Sequence, residues 1–237
     1  MRLLLLASLA VAAPTFAQSG EPVSAAHLHG NRTLAFTQVE ADVSRQQGEA
    51  VVNWDAEGFI GGDRQKFWWK SEGEHAASEF ETAEFQALYS RNVWTFFDVQ
   101  AGLRADAKPD GRGYAVIGIQ GLAPYLLETE LHAFIGFKGD VSLRFKQSFD
   151  IRMTNRFVLE PNLETDISFS DVPERMVGKG FSSIETGVQA RYEISRKFAP
   201  TLALTYESRL GKSARLANAA GEENGGWSVR GGVRFWF

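Results

Sequence analysis

The sequence of 237 residues contains no cysteine and only three methionines. Without cysteine no disulfide can staple the chain, so a closed hydrogen-bond network or a large core must stabilise it. Long apolar stretches are scarce as well. The run Leu3–Ala13 is shorter than the roughly 20 residues that a helix needs to cross a bilayer, and no later stretch is longer. The sequence therefore predicts neither a disulfide-stapled domain nor a helical membrane protein.

Signals for nucleic-acid binding and for catalysis are also missing. The chain has 25 Lys and Arg against 29 Asp and Glu, which gives a formal net charge of −4. Nucleic-acid-binding surfaces carry an excess of positive charge instead. No glycine-rich phosphate loop, metalloprotease helix or nucleophile elbow occurs. We therefore expect no nucleic-acid partner, no catalytic residues and no enzyme activity.

The first residues have the pattern of an export signal. A basic start at Arg2 precedes the apolar run, and Pro14–Ala17 supplies small residues for cleavage. We expect residues 1–17 to be a signal peptide that is cleaved after Ala17. Residues 18–33 are polar and are interpreted as a flexible periplasmic arm, which leaves 34–237 as one domain.

The segment 227–237 alternates with a period of two, which predicts a β-strand with one apolar and one mostly polar face. The apolar face consists of Trp227, Val229, Gly231, Val233, Phe235 and Phe237. An exposed aromatic strand at a sheet edge invites aggregation, and a closed barrel removes the edge by pairing this strand with the first. The alternative is the last strand of a soluble sandwich.

The same alternation recurs along the chain and predicts twelve strands. Their approximate ranges are 34–45, 49–60, 64–75, 79–91, 97–106, 112–122, 126–138, 140–152, 155–169, 181–195, 198–210 and 227–237. Pro161 is expected to interrupt the ninth strand with a bulge, because proline cannot donate to the ladder. Interfacial anchoring is expected of Trp54, Trp68, Trp69, Trp94 and Tyr125.

Connector lengths give an independent indication of the architecture. Connectors after even-numbered strands are short, whereas 107–111, 170–180 and 211–226 are long and follow odd-numbered strands. Outer-membrane barrels have short periplasmic turns and longer outside loops. The sequence thus predicts an all-β, transmembrane, antiparallel up-and-down β-barrel in contact with lipid of the Gram-negative outer membrane.

Charged residues on the predicted inward face fill a narrow bore, since twelve strands lie between the filled eight-stranded barrels and the open porins. Among them are Asp55, Glu72, Glu164, Arg144 and Lys146. Two interpretations remain open. The charges either form salt bridges that stiffen and plug the barrel, or some of them line a route for cations.

Several long strings of the sequence resemble one known family. They are 97–104, 113–125, 154–161, 191–200 and 232–237. On these strings the chain resembles the copper resistance protein B family over about residue 50 to the last residue. The resemblance implies an outer-membrane barrel that binds, sequesters or exports copper ions and works with a periplasmic copper oxidase or copper carrier. Copper is then a ligand rather than a catalytic cofactor. The Met- and His-rich amino-terminal segment of many relatives is nearly absent here.

The best candidate metal ligands in the bore are Glu128, Glu130 and His132, which share one face of one strand. Imidazole and carboxylate suit Cu(II), but successive residues on one face lie about 7 Å apart, so one ion needs help from neighbouring strands. The alternative is a set of salt-bridge partners for Arg144 and Lys146 on the next strand.

A second candidate site lies in the predicted arm. His27 and His29 are two residues apart, which places both imidazoles on one side of an extended segment. The alternative is that both are solvated. Two functional alternatives also stay open: a plugged structural barrel that docks a periplasmic copper oxidase, and a small outer-membrane hydrolase, for which a Ser/His pair exists without a motif.

Overall fold

A computed structural model describes residues 33–46, 49–76 and 79–237. The predicted signal peptide and the predicted arm up to residue 32 lie outside these residues. The described chain forms twelve strands in one antiparallel sheet. They are β1 (Leu34–Gln46), β2 (Glu49–Gly61), β3 (Gln65–Ala76), β4 (Glu79–Trp94), β5 (Phe97–Lys108), β6 (Arg112–Ala123), β7 (Leu127–Gly136), β8 (Val141–Ser148, continued as Ile151–Arg152), β9 (Phe157–Ser168), β10 (Gly180–Tyr192), β11 (Phe198–Arg209) and β12 (Gly225–Trp236).

The sheet closes on itself because β12 pairs with β1, as the alternation in 227–237 predicted. Gln38 lies opposite Trp236, and Ser44 lies opposite Arg230. Every other strand pairs with its neighbours in sequence. A closed sheet leaves no edge, so every strand finds both hydrogen-bonding partners. The prediction of a twelve-stranded antiparallel barrel is confirmed.

Side chains alternate across the barrel wall in the predicted sense. On β5 and β6 the outward Leu103 and Ile117 are 59% and 54% exposed, whereas the inward Gln100 is fully buried. Large apolar side chains thus cover the outside, and charged and amide side chains fill the inside. This distribution is the reverse of a soluble protein and matches a wall that faces lipid.

The interruption expected at Pro161 falls in the neighbouring strand instead. β9 runs unbroken through Pro161, which lies opposite Val188 on β10. On the other side β8 is broken between Ser148 and Ile151. Proline has no N–H to donate to that side, so the ladder to β8 loses its regular pairing there. One weak link remains, from the Phe149 amide to the Pro161 carbonyl at 3.3 Å.

An inward apolar row, which the alternation did not predict, crosses the wall from β1 to β7. Its members are cross-strand neighbours, in order Phe36, Phe59, Trp68, Leu88, Gly102, Val116 and Phe134. Leu88, Val116 and Phe134 are buried, and Trp68 packs against them. The expectation that Trp68 anchors the barrel at the membrane interface is therefore wrong, because its ring points into the barrel.

The twelve strands define two ends, which we call the short-turn end and the long-loop end. At the long-loop end the segment 169–179, here called the strap, crosses toward the β5–β6 connector. The Arg175 guanidinium lies 3.0 Å from the Asp106 carboxylate, and that of Arg112 lies 2.8 Å from the Glu174 carboxylate. The strap was predicted only as a long connector.

The connector between β11 and β12 contains the helix α1 (Gly211–Ala220). It holds the other side of the strap. Lys212 pairs with Asp171 at 2.7 Å, and the Ser213 hydroxyl accepts a hydrogen bond from the Gly178 amide at 2.9 Å. None of the helices in the described part of the chain has the length and apolar character needed to cross a membrane.

Candidate functional site

Five carboxylates lie side by side on the inner wall from β1 to β5. They are cross-strand neighbours in the order Glu40, Asp55, Glu72, Glu84 and Asp106. Like charges directly opposite each other on a sheet destabilise it. The acidic row therefore needs compensating cations. Arg104 on β5 pairs with Glu84 and Asp106, each at 2.7 Å, and the opposite wall supplies two more cations.

Two cations on β8 reach across the bore to this row. Arg144 Nη1 lies 2.5 Å from Glu72 Oε1 and 3.4 Å from Glu84 Oε2. Lys146 Nζ lies 3.0 Å from Glu72 Oε2 and 3.1 Å from Glu164 Oε2. We call these five residues the septum. The contacts to Glu72 and Glu84 cross the bore, because β3 and β4 are not adjacent to β8, whereas Glu164 lies opposite Lys146 on the adjacent strand β9.

The bore holds two adjoining chambers, and the septum residues Glu72, Arg144 and Lys146 line both. The chamber toward the long-loop end has a volume of about 540 Å³. The chamber toward the short-turn end has a volume of about 260 Å³. Strap residue Arg175 lines the larger chamber and closes part of its mouth.

Further ion pairs brace the chamber walls. In the short-turn chamber Lys70 on β3 binds Glu130 on β7 at 2.6 Å. Near the β1–β12 seam, Arg234 lies 2.6 Å from Glu40 and 2.8 Å from Glu160 on β9. Most buried charges of the bore are thus paired, as buried charges generally are.

Three inward carboxylates stand apart from this pairing. Among the described residues of the bore, Asp55, Glu128 and Glu207 have no side-chain hydrogen bond and no ion pair. Asp55 lines both chambers, Glu128 the short-turn chamber and Glu207 the long-loop chamber. Unpaired carboxylates exposed in an aqueous bore attract cations.

The predicted ligands Glu128, Glu130 and His132 do share the inward face of β7, but they do not converge. His132 is 3% exposed, its Nε2 lies 2.8 Å from Gln100 Oε1, and its Nδ1 lies 3.7 Å from Glu130. Glu130 is held by Lys70, and Glu128 is unpaired. In the described part of the chain no three His, Asp or Glu side chains are grouped closely enough to hold a metal ion.

The alternative prediction, that these residues pair with Arg144 and Lys146, is wrong about the partners. Glu130 binds Lys70 across the bore, and the two β8 cations bind the septum carboxylates. Sequence reasoning identified the inward face correctly but not the partner across the bore. His27 and His29 lie outside the described residues.

The ties of the strap shift the pKa of carboxyl groups outside the barrel wall. Asp110 lies 3.5 Å from Arg175 of the strap, and a hydrogen bond from the Arg112 guanidinium lowers the pKa of Asp110. The Lys212 ammonium lowers the pKa of Asp171 in the same way. Both carboxylates are therefore ionised at neutral pH and hold the strap in place.

Solved structures share this architecture. The NanC porin superposes with a TM-score of 0.59 at 14% identity, over 83% of this chain and 98% of the porin. The KdgM porin gives a TM-score of 0.56 at 12% identity, over 84% of this chain and 99% of the porin. The chain is therefore a porin-like β-barrel of the outer-membrane type.

Sequence comparison then gives the family. The family model described as "Copper resistance protein B precursor (CopB)" matches residues 31–237, and the chain belongs to the copper resistance protein B family. The copper resistance protein B of Escherichia coli is 37% identical over 186 residues, which is 78% of this chain and 63% of that protein. A homolog from Pseudomonas syringae pv. tomato is 37% identical over 189 residues, 79% of this chain and 64% of its own length. The chain thus spans less than two thirds of these relatives.

Proposed function

We propose that this protein contributes to copper resistance by binding, sequestering or exporting copper ions through its acidic bore. The observation that carries the proposal is the set of unpaired carboxylates Asp55, Glu128 and Glu207. At least one of them lines each chamber, and Asp55 lines both. Copper is the ligand or cargo of such a bore. The role is non-enzymatic and needs no catalytic group.

The location follows from the same architecture. We infer that residues 1–17 direct export, that 18–33 form a periplasmic arm, and that 34–237 insert into the outer membrane. The outward apolar side chains support contact with outer-membrane lipid, and short turns at one end support a periplasmic orientation of that end. His27 and His29 are the proposed copper ligands of the arm.

Deletion of the gene tests the proposal in cells. Loss of the protein is expected to lower copper tolerance and to change cell copper, and complementation is expected to restore both. Unchanged tolerance together with unchanged cell copper contradicts the proposal. Copper titration of the purified barrel, with and without residues 18–33, then locates the binding. Binding that survives the truncation places the site in the barrel.

A second candidate function is favoured by the septum and the strap. Both close the bore with ion pairs, which suits a structural barrel that docks a periplasmic copper oxidase or copper carrier. On this view, substitutions that exchange charged residues inside the bore leave copper tolerance intact, whereas substitutions in the short turns abolish it. Comparing the two classes of variants for tolerance discriminates between the candidates.

A further inference from the structure

Lys146 places an ammonium group at the centre of the bore. Its Nζ contacts one carboxylate from β3, Glu72, and one from β9, Glu164, at 3.0 and 3.1 Å. Asp55, the unpaired neighbour of Glu72 on β2, lines the same chambers. The ammonium thus already occupies a cation position built from separate strands.

Lys146 is freer to move than the other cation of the septum. Arg144 contacts four carboxylates, Glu72, Glu84, Glu164 and Asp166, at 2.5 to 3.4 Å, and its side chain is 15% exposed. Lys146 has two partners and is 32% exposed. A lysine ammonium sits on a flexible four-carbon stem, whereas a guanidinium is held by its planar fork. Arg144 therefore fixes the septum, and Lys146 is the member that can be displaced.

The ligand atoms that line the chambers are oxygens, apart from the imidazole of His132 in the short-turn chamber. No methionine of the described chain lines either chamber, and the sequence has no cysteine. In the short-turn chamber, which the unpaired Glu128 also lines, the Gln86 side chain is 8% exposed and leaves Oε1 without a hydrogen-bond partner. Carboxylate and carbonyl oxygens suit hard cations, while Cu(I) favours sulfur ligands.

We propose that Lys146 determines the ion specificity of the bore. Its ammonium is displaced by a hydrated divalent cation that accepts oxygen ligands, so copper passes as Cu(II) and not as Cu(I). At equal distance a divalent ion is attracted to Glu72 and Glu164 twice as strongly as an ammonium, whereas a monovalent ion gains nothing over it. The inference rests on the proposed passage of copper through the bore and adds the oxidation state and the residue that selects it.

The test uses the purified full-length barrel in proteoliposomes and measures influx of Cu(II), of Ag(I) as a stable soft monovalent ion, and of K⁺. For the wild-type protein we expect Cu(II) influx to exceed Ag(I) and K⁺ influx by about tenfold. Lys146→Gln removes the tethered charge, and K⁺ influx is expected to rise by about tenfold. Lys146→Arg keeps the charge and is expected to keep the block.

The matched control is Lys138→Gln, which removes a lysine that is 61% exposed in the β7–β8 connector, outside both chambers. Heat-dependent migration on denaturing gels shows whether each variant is folded. Equal influx of Ag(I) and Cu(II) into wild-type vesicles overturns the inference, as does unchanged K⁺ influx through folded Lys146→Gln protein. If K⁺ crosses Lys146→Gln vesicles but copper does not cross wild-type vesicles, the proposed passage of copper is contradicted and the block of K⁺ by Lys146 is supported. If no cation crosses any variant, both the passage of copper and the block by Lys146 are contradicted.

Discussion

Arg144 on β8 and Glu72 on β3 meet in the middle of the bore, with Nη1 and Oε1 2.5 Å apart. They are 72 residues apart in sequence and lie on strands that do not touch in the sheet. Such a contact ties opposite sides of the barrel wall together. In the described part of the chain, side chains of the wall itself thus bridge the interior.

Glu72→Gln is expected to loosen the septum without unfolding the barrel. Arg144 keeps Glu84, Glu164 and Asp166, but Lys146 loses one of its two partners. Single-channel recording in planar bilayers is expected to show a conductance at least several-fold above wild type. Glu81→Gln, the same change at an exposed position of β4, serves as control. Equal conductance of the two variants contradicts the assignment of the septum.

Glu130→Gln is expected to destabilise the barrel. It leaves the Lys70 ammonium, 14% exposed, with only Glu57 at 3.7 Å. Removing one partner of a buried pair leaves an uncompensated charge, and we expect a loss of about 2 kcal/mol in the free energy of unfolding. Urea unfolding followed by tryptophan fluorescence measures it. Glu128→Gln removes an unpaired carboxylate and should stay within about 0.5 kcal/mol of wild type. Equal losses for both variants argue against the Lys70 pairing.

Arg175→Ala is expected to release the strap from the mouth of the long-loop chamber. The Arg175 guanidinium binds Asp106 at 3.0 Å and the Tyr114 hydroxyl at 2.9 Å, so its removal cuts the tie to β5 and β6. Trypsin is then expected to cleave after the exposed Lys179 several-fold faster than in wild type. Arg215→Ala, at an exposed position of α1, is the control. Unchanged cleavage in the Arg175 variant shows that the strap does not depend on this tie.

Acid is expected to release the strap as well. Ion pairing lowers the pKa of Asp110 and of Asp171, so both pairs contribute fully above the ordinary carboxyl range and are lost as pH falls through the lowered values. Hydrogen exchange of the strap is therefore expected to stay slow from neutral pH to about pH 5 and to rise below about pH 4. Rates are compared after correction for intrinsic exchange. In the Asp110→Asn, Asp171→Asn double variant the exchange should be fast at every pH. A variant that keeps the wild-type pH profile refutes the role of these pairs.

The strand pattern was predictable because the period of two depends only on local sequence. The predicted 112–122 and 198–210 match β6 and β11 within two residues. The helix α1 could have been found as well, since Gly211–Ala220 is rich in helix formers and Gly221 follows it as a left-handed cap. The prediction of 211–226 as a long connector used the length of the segment and not its composition.

The septum and the inward apolar row could not be derived in this way. Alternation gives the face of Lys146 but not its partner, because contacts across a bore depend on strand tilt and stagger around the whole barrel. Trp68 lies between Phe67 and Trp69, so the apolar run contains no polar neighbour that marks the inward position. Alternation likewise places Glu128, Glu130 and His132 on one face. It cannot show that Lys70 and Gln100 hold two of them apart.

The inward apolar row makes the two sides of the lumen unequal. From Phe36 to Phe134 it winds around the β1–β7 side as a water-repelling stripe, and the Arg104 guanidinium lies over the Phe134 ring at 4.6 Å. An ion keeps its hydration shell only along the remaining wettable wall. The wettable part of the lumen is therefore off-axis and narrower than a ring of twelve strands suggests, and a radius calculated from strand number overestimates it.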